Sequence, residues 1–266
     1  MEGVDYSFSR PSPYCLYRGN KRFVVRYVGT PASGKNLTAN ERDAIVDAKL
    51  DIVGVYETTT GFMLEGYDRG TRAATSVAAD AIKYNRPVNT PTYYALDVDP
   101  RNLSRSQWDA IKAFLNGVAS VVGRKQVGVY GGFAAIETLV PQWAAYGWQT
   151  YAWSGGQISS EAHLYQYKNG VELCSATVDL CRNLADEYGQ WYHHAPEHSS
   201  IDVPIGAKEE EMGFLYTSPG KPVFYCYAGK SVGLNEASDL AAFKDCVVRH
   251  LDADTFAKFR ARYPGD

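Results

Sequence analysis

The run Thr92-Tyr93-Tyr94-Ala95-Leu96-Asp97-Val98-Asp99-Pro100, followed by Ser104-Arg105-Ser106-Gln107 and then Trp108 to Val122, reads as one strand-to-helix unit. Aromatic and aliphatic residues over 92–99 favour a buried strand, and Pro100, which lacks an amide donor, stops it. Ser104 with Gln107 three residues later forms a capping box. Beyond it Trp108, Ile111, Leu115 and Val118 fall on one face of a helix. A strand that feeds such a helix needs a neighbouring parallel strand to return to. The same order repeats along the chain. Strands are expected at 3–6, 22–28, 51–57, 92–99, 126–131, 149–154, 163–167 and 177–180. Thr38 caps a helix running to about residue 50, with Glu41 reaching back to it. Further helices are expected over 70–84 and over 133–145, the last interrupted by Pro141.

Eight strands alternating with helices are the count at which a parallel sheet closes, so the expected fold is an α/β (β/α)8 TIM-type barrel over residues 1–192. An open doubly wound sheet is the alternative. Residues 193–211 are polar, contain Pro196 and lack apolar periodicity, as a linker does. Residues 212–266 form a small α+β module of unknown role, with strands at 213–217 and 222–228 and helices at 236–251 and 254–263.

The 266 residues carry 27 Lys+Arg against 30 Asp+Glu, a formal net charge of −3, without a basic run. Nucleic acid is therefore not an expected partner, nor is an anionic membrane surface. No stretch approaches the roughly 18 apolar residues of a membrane span, and Met1-Glu2-Gly3 leads into Val4-Asp5-Tyr6 without the order of a signal peptide. The chain is expected to be soluble. Cys15, Cys174, Cys181, Cys226 and Cys246 are an odd count and are read as reduced and structural, with Cys174 and Cys181 the pair near enough in sequence to bridge.

A barrel presents its chemistry at the carboxyl ends of its strands. Those ends are acidic here: Asp5, Glu57, Asp97 with Asp99, and Asp179. Side chains alternate along a strand, so Asp97 and Asp99 are expected to share one side and one mouth. Like charges held close raise one pKa, giving one neutral acid and one ionised carboxylate, the pair that glycoside hydrolysis uses. Two other readings exist: a strand exit with turn-forming aspartates, or a hard cation site that Asp5 and Asp179 complete. No metal and no cofactor is assigned. Gly29-Thr30-Pro31-Ala32-Ser33-Gly34-Lys35-Asn36 nearly fits a phosphate loop, but Asn36 replaces the magnesium-binding hydroxyl and the helix starts only after Thr38. His193, His194 and His198 lie in the linker without finger spacing and are read as solvated.

Ten short pieces in order carry a resemblance. They are Gly3-Val4-Asp5-Tyr6-Ser7, Val25-Arg26-Tyr27, Lys35-Asn36-Leu37-Thr38, Val55-Tyr56-Glu57, Tyr94 to Asp99, Gly128-Val129-Tyr130-Gly131, Trp148-Gln149-Thr150, Trp153-Ser154-Gly155, Leu164-Tyr165-Gln166-Tyr167 and Val178-Asp179. Together they resemble the glycoside-hydrolase-like barrel domain of unknown function found in actinobacteria and their phages, itself similar to the family 25 lysozymes. The resemblance covers about residues 3–190. It implies a cleft for bacterial cell-wall glycan and N-acetylmuramidase chemistry, with Asp5, Asp97 and Asp179 at the family's aspartate positions. Asp99 stands where those lysozymes carry the acid Glu. Tyr130, Trp153 and Gln166 are expected at the mouth as substrate contacts, with Arg26 and Glu57 on inward-pointing positions in one ionic network with the aspartates. The implied function is a peptidoglycan hydrolase with Asp99 as proton donor, such as a phage lysin, resident in host cytoplasm before release. The alternative is a glycan-binding module or virion component that keeps the cleft without turnover. Oligomeric state is not readable.

Overall fold

The computed structural model describes residues 1–30, 34–84, 86–87 and 89–191, and beyond them the strands at 214–217, 223–227, 230–234 and 247–250. The chain divides into two compact units, Met1–Ala195 and Pro196–Asp266.

In the first unit β1 (Glu2–Asp5), β2 (Lys21–Tyr27), β3 (Asp51–Tyr56), β4 (Thr92–Ala95), β5 (Val127–Gly131), β6 (Tyr146–Thr150) and β7 (Leu164–Leu173) pair in parallel. The eighth strand, β8 (Ala176–Asn183), runs antiparallel to both β7 and β1, and the pairing of β2 with β3 closes the barrel. The TIM-type barrel is therefore present with one reversed strand. Five α-helices, α1 (Pro13–Arg18), α2 (Ala39–Asp47), α3 (Tyr67–Lys83), α4 (Arg105–Val122) and α5 (Phe133–Leu139), lie between the first six strands. Thr150 to His163 joins β6 to β7 without a helix, and β7 turns into β8 through Cys174-Ser175, both at positive φ, the backbone a two-residue hairpin needs. On the outer side Leu173, Ala176 and Val178 of this hairpin pack with Val4 and Leu16, covering surface that another helix would otherwise cover.

Local signals built these elements. Ser104 and Gln107 form the reciprocal capping box that opens α4. Thr38 caps α2 through the Glu41 amide, whereas the Glu41 carboxylate turns away to arginines and does not close the expected box. Helices α3 and α4 touch at glycines: a Cβ on Gly70 would stand 2.0 Å from the Phe114 carbonyl oxygen, and one on Gly117 would stand 2.1 Å from that of Tyr67. Alternation sorts the strands into an inner set, including Phe23, Val25, Val53, Val55, Tyr93, Ala95, Trp148, Leu164 and Cys181, and outer sets facing the helices. The amino end of the barrel is filled by Tyr188, which is fully buried against Phe23 and reaches the Asp51 carboxylate. Its carbonyl accepts from the Tyr93 hydroxyl, and β9 (Gln190–Trp191) then pairs with β3.

Several expectations are corrected. Strand β4 ends at Ala95, so Asp97 and Asp99 lie in the following loop. The fifth helix stops at Leu139, short of 145. Cys15 and Cys174 are bonded to each other across 159 residues, with Cα atoms 5.9 Å apart, so the cysteines are not all reduced. Cys174 sits at the hairpin tip, roughly 20 Å of extended strand from Cys181, far beyond bridging distance. Cys181 is free and buried in the barrel.

The second unit contains β10 (Phe214–Thr217), β11 (Val223–Tyr227), β12 (Lys230–Leu234) and β13 (Val247–His250), in the sheet order β12-β11-β10-β13 with β13 parallel to β10. Residues 247–250, expected at the end of a helix, are thus a strand. The expected helix at 254–263, the linker at 193–211 and its histidines lie outside the described residues.

Truncating the plug should unseat the amino end: Tyr188→Ala should cost about 3–5 kcal/mol, as for other buried aromatic truncations, read by urea unfolding. A loss below about 1 kcal/mol would show that the barrel does not depend on it. Reduction of Cys15–Cys174 should lower stability by up to about 5 kcal/mol on the chain-entropy estimate for so long a loop, and Cys174→Ser should reproduce it. An unchanged denaturation midpoint with reductant is the contrary result.

Candidate functional site

Antiparallel β8 brings Asp179 directly opposite Asp5 in the β1–β8 register, at the carboxyl end of β1. Asp5 is only 7% exposed. Its Oδ2 accepts from Gln166 Nε2 at 2.9 Å and from the Cys181 thiol at 3.3 Å. Gln166 Nε2 also donates to Asp179 Oδ2 at 3.3 Å, and the Gly170 amide donates to Asp179 Oδ1 at 2.8 Å. On its other side Gln166 Oε1 accepts from the Tyr130 hydroxyl at 2.9 Å and from Thr150 at 2.8 Å. Burial, with the Asp179 charge adding to it, pushes the Asp5 carboxyl up to about 7. Burial also raises Asp179, against the lowering effect of the Gly170 amide.

Across the mouth stand Asp97 and Glu57, half-buried, following β4 and β3. Partial burial first, and then the Glu57 charge, raise the Asp97 pKa, while Lys35 opposes them. Lys35 Nζ is 3.5 Å from Glu57 Oε2 and lies over the Tyr27 ring. The Tyr27 hydroxyl is held neutral, by burial above all and then by the Glu57 and Asp5 charges. The structure thus gathers Asp5, Asp179, Asp97, Glu57, Tyr130 and Gln166 at one end of the barrel. Thr150, Cys181, Tyr27 and Lys35 join them, none of which sequence reading proposed. Alternation counted from Val25 and Trp148 would have found Tyr27 and Thr150 on the inner face.

Two predicted members stand elsewhere. Asp99 caps the turn at Pro100–Asn102, accepting from the Arg101 amide at 3.0 Å, and its carboxylate is bidentate to the Arg101 guanidinium at 2.9 and 2.8 Å. Those bonds hold its pKa below the usual carboxylate range, so it is not the raised member of an Asp97–Asp99 pair. Arg26 is fully buried on the outer side of β2, not in the mouth. It binds Glu41 of α2 at 2.7 Å and the Lys35 carbonyl at 2.8 Å, and its guanidinium lies 4.2 Å from the Tyr6 ring centroid. Val24 and Arg26 face outward because Phe23 and Val25 face inward.

Trp153 is half-buried in the turn after β6, at φ 58°. Next to it, Ser154 accepts from the Phe133 amide at the start of α5, which fixes this turn at the mouth end. In the phosphate-loop look-alike Asn36 is bonded within the protein: its amide donates to the Thr30 carbonyl at 2.6 Å, and its oxygen accepts from the Thr30 hydroxyl. Among the described residues no three His, Cys, Asp or Glu side chains are placed to hold a metal ion together, and none of their helices is long and apolar enough to cross a membrane.

The profile of a family described as Rv2525c-like, glycoside hydrolase-like domain matches residues 15–185. No curated protein matches the chain. Among solved structures, the Mycobacterium tuberculosis Tat-secreted protein Rv2525c in complex with L-tartrate is similar, with 24% identity, a TM-score of 0.66 and coverage of 71% of this chain and 98% of that one. An uncharacterized B. stearothermophilus protein is 20% identical, with a TM-score of 0.52, 69% of this chain and 95% of that one. The Streptomyces coelicolor bacterial lysozyme superposes at a TM-score of 0.49 and 13% identity, over 70% and 92% of the two chains. The first two of these likenesses bear on the fold alone.

The raised Asp5 carboxyl fixes a sign. Below about pH 4 folded and unfolded chains both hold this proton; above it the unfolded chain releases it first, so stability falls as pH rises toward and through 7. Asp5→Asn should flatten part of that slope and be more stable than the wild type at pH 8 by about 2–4 kcal/mol. A variant less stable at pH 8, with the slope intact, would mean that Asp5 is ionised without cost.

Proposed function

The chain belongs to the Rv2525c-like, glycoside hydrolase-like family, and from that premise we propose that its acidic mouth binds bacterial cell-wall glycan and cleaves a glycosidic bond in it. The observation that carries the reading is the convergence of Asp5, Asp179, Asp97 and Glu57 on one barrel end, with Asp5 raised to about 7 and Asp97 raised as well. Glycoside cleavage needs one carboxyl that still holds a proton near neutrality and another that stays ionised near the anomeric carbon. Asp97 is the proton donor in this reading, with Glu57 beside it as the second carboxyl group. Asp5 and Asp179 set the charge of the floor, and Tyr130 and Trp153 offer ring faces and polar edges to sugar. The Cys15–Cys174 bridge suits a protein that meets the wall outside a reducing cytosol.

A second reading, a glycan-binding barrel without turnover, is favoured by Asp99. It occupies the sequence position of the lysozymes' acid, and its carboxylate is committed to Arg101.

Reducing-end release from purified peptidoglycan, set beside pull-down by the same material, separates the two. With Asp97 as donor, Asp97→Asn should cut cleavage by roughly two to four orders of magnitude and leave binding, while Asp99→Asn stays near wild type. The reverse pattern returns the acid role to Asp99. Binding without cleavage in every variant selects the second reading, and neither binding nor cleavage defeats both.

A further inference from the structure

Gln166 was expected to contact substrate, yet it is 3% exposed and its bonding capacity is already filled from within the protein. An amide has two N–H donors and a carbonyl oxygen with two lone pairs. Here the donors go to Asp5 Oδ2 and Asp179 Oδ2, and the oxygen takes the Tyr130 and Thr150 hydroxyls. We infer that Gln166 is a positioning residue whose amide clamps Asp5 and Asp179 into one carboxyl pair holding a single proton between them. The inference rests on the glycan-cleavage reading only for its catalytic consequence.

The amide has one workable orientation. Turned over, it would aim its oxygen at two carboxyl groups that have at most one proton to offer. The pair itself follows from register, since Asp5 and Asp179 are direct cross-strand partners. The groups around it do little to neutralise two charges. Tyr27 of β2 and Tyr130 of β5 are neutral phenols, and Cys181 of β8 is a buried thiol pushed well above its usual range. Arg26, which acts on Asp5 from β2, is committed to Glu41 on the outer side of the strand. Among the described residues no ion pair reaches either carboxylate. Two neighbouring carboxyls without a cation retain one proton well above the ordinary carboxylate range and titrate as a unit.

The clamp also acts on Tyr130. With its proton given to Gln166, that hydroxyl presents only lone pairs to the mouth, so a ligand group meeting it must be a donor, as a sugar hydroxyl or acetamido N–H is.

The test is an infrared titration of the protonated carboxyl band in the full chain, comparing wild type with Asp179→Asn and Gln166→Leu. Asp179→Asn removes the neighbouring charge, and the midpoint should fall by roughly one pH unit or more. Gln166→Leu removes both donors to the ionised form, and the midpoint should rise by roughly one unit. A merely structural Gln166 would lower the melting temperature and leave the midpoint in place, which would overturn the inference. Should Gln166→Leu not fold, Asp179→Asn decides: an unmoved midpoint there overturns the shared proton. A midpoint that moves as expected in a protein that never cleaves glycan leaves the pair standing and removes the enzyme reading. Cleavage with unmoved midpoints does the opposite.

Discussion

Strand β1 is four residues long and is bonded along both edges, in parallel to β2 and antiparallel to β8. Closing a sheet removes its edges, and here the closure runs through a strand as short as any in the barrel wall. If β1 slipped by one residue, Val4 would enter the barrel and Asp5 would face the helices, because side chains alternate. Gly3 reinforces the register: a Cβ there would stand 2.4 Å from the Phe23 ring, so the inner position below Asp5 admits no side chain. The place of Asp5, its facing of Asp179 and the reach of Gln166 to both follow from that one alignment.

The barrel interior is built in tiers that differ in polarity. Tyr188 and Asp51 lie at the amino end, then an apolar and aromatic middle with Val25, Val55, Trp148 and Leu164, then the carboxyl-bearing tier. The middle tier is what makes the top one chemically unusual. Packed hydrocarbon beneath Asp5 excludes water, and the carboxyl responds by keeping its proton toward neutrality. The outer shell solves its own charge problem separately, since Arg26 is buried only in company with Glu41, the Tyr6 ring and the Lys35 carbonyl. Two ionic systems that looked like one in sequence are divided by the wall of the barrel.

Much of this was legible because the early strands announce themselves. Runs such as Phe23-Val24-Val25 and Asp51-Ile52-Val53 are short, β-branched and followed by polar turns, and Thr38 and Ser104 mark helix starts. Counting strand ends places Asp5, Asp97 and Glu57 at one end of the barrel, whereas Asp179, in the middle of β8, reaches that end because its strand runs backward with Asp5 as its partner. The reversal of β8 was not legible: Cys174-Ser175 lacks the Asn-Gly or Asp-Gly signature of a tight hairpin, and alternation reads the same in either direction. Asp99 misled because Val98 prolongs an apolar alternation that the backbone abandons at Ala95, where the loop toward Pro100 begins. Arg26 was read as an inward-pointing position of its strand, although the parity of Phe23 and Val25 turns it outward. The Cys15–Cys174 bond joins residues that only the folded hairpin brings together, so no spacing rule could have found it.

Because β8 runs back toward the amino end, β1 begins where β8 finishes, with the Asn183 backbone amide donating to the Met1 carbonyl at 3.2 Å and the Met1 ammonium bonded to the Asn183 side chain. An all-parallel barrel must bring its chain back through a final helix; this one returns within the sheet. The amino end of β1 and the carboxyl end of β8 are therefore neighbours on the rear of the barrel, and the mouth occupies the front. One strand thus closes the ring and carries the chain away from the mouth at the same time.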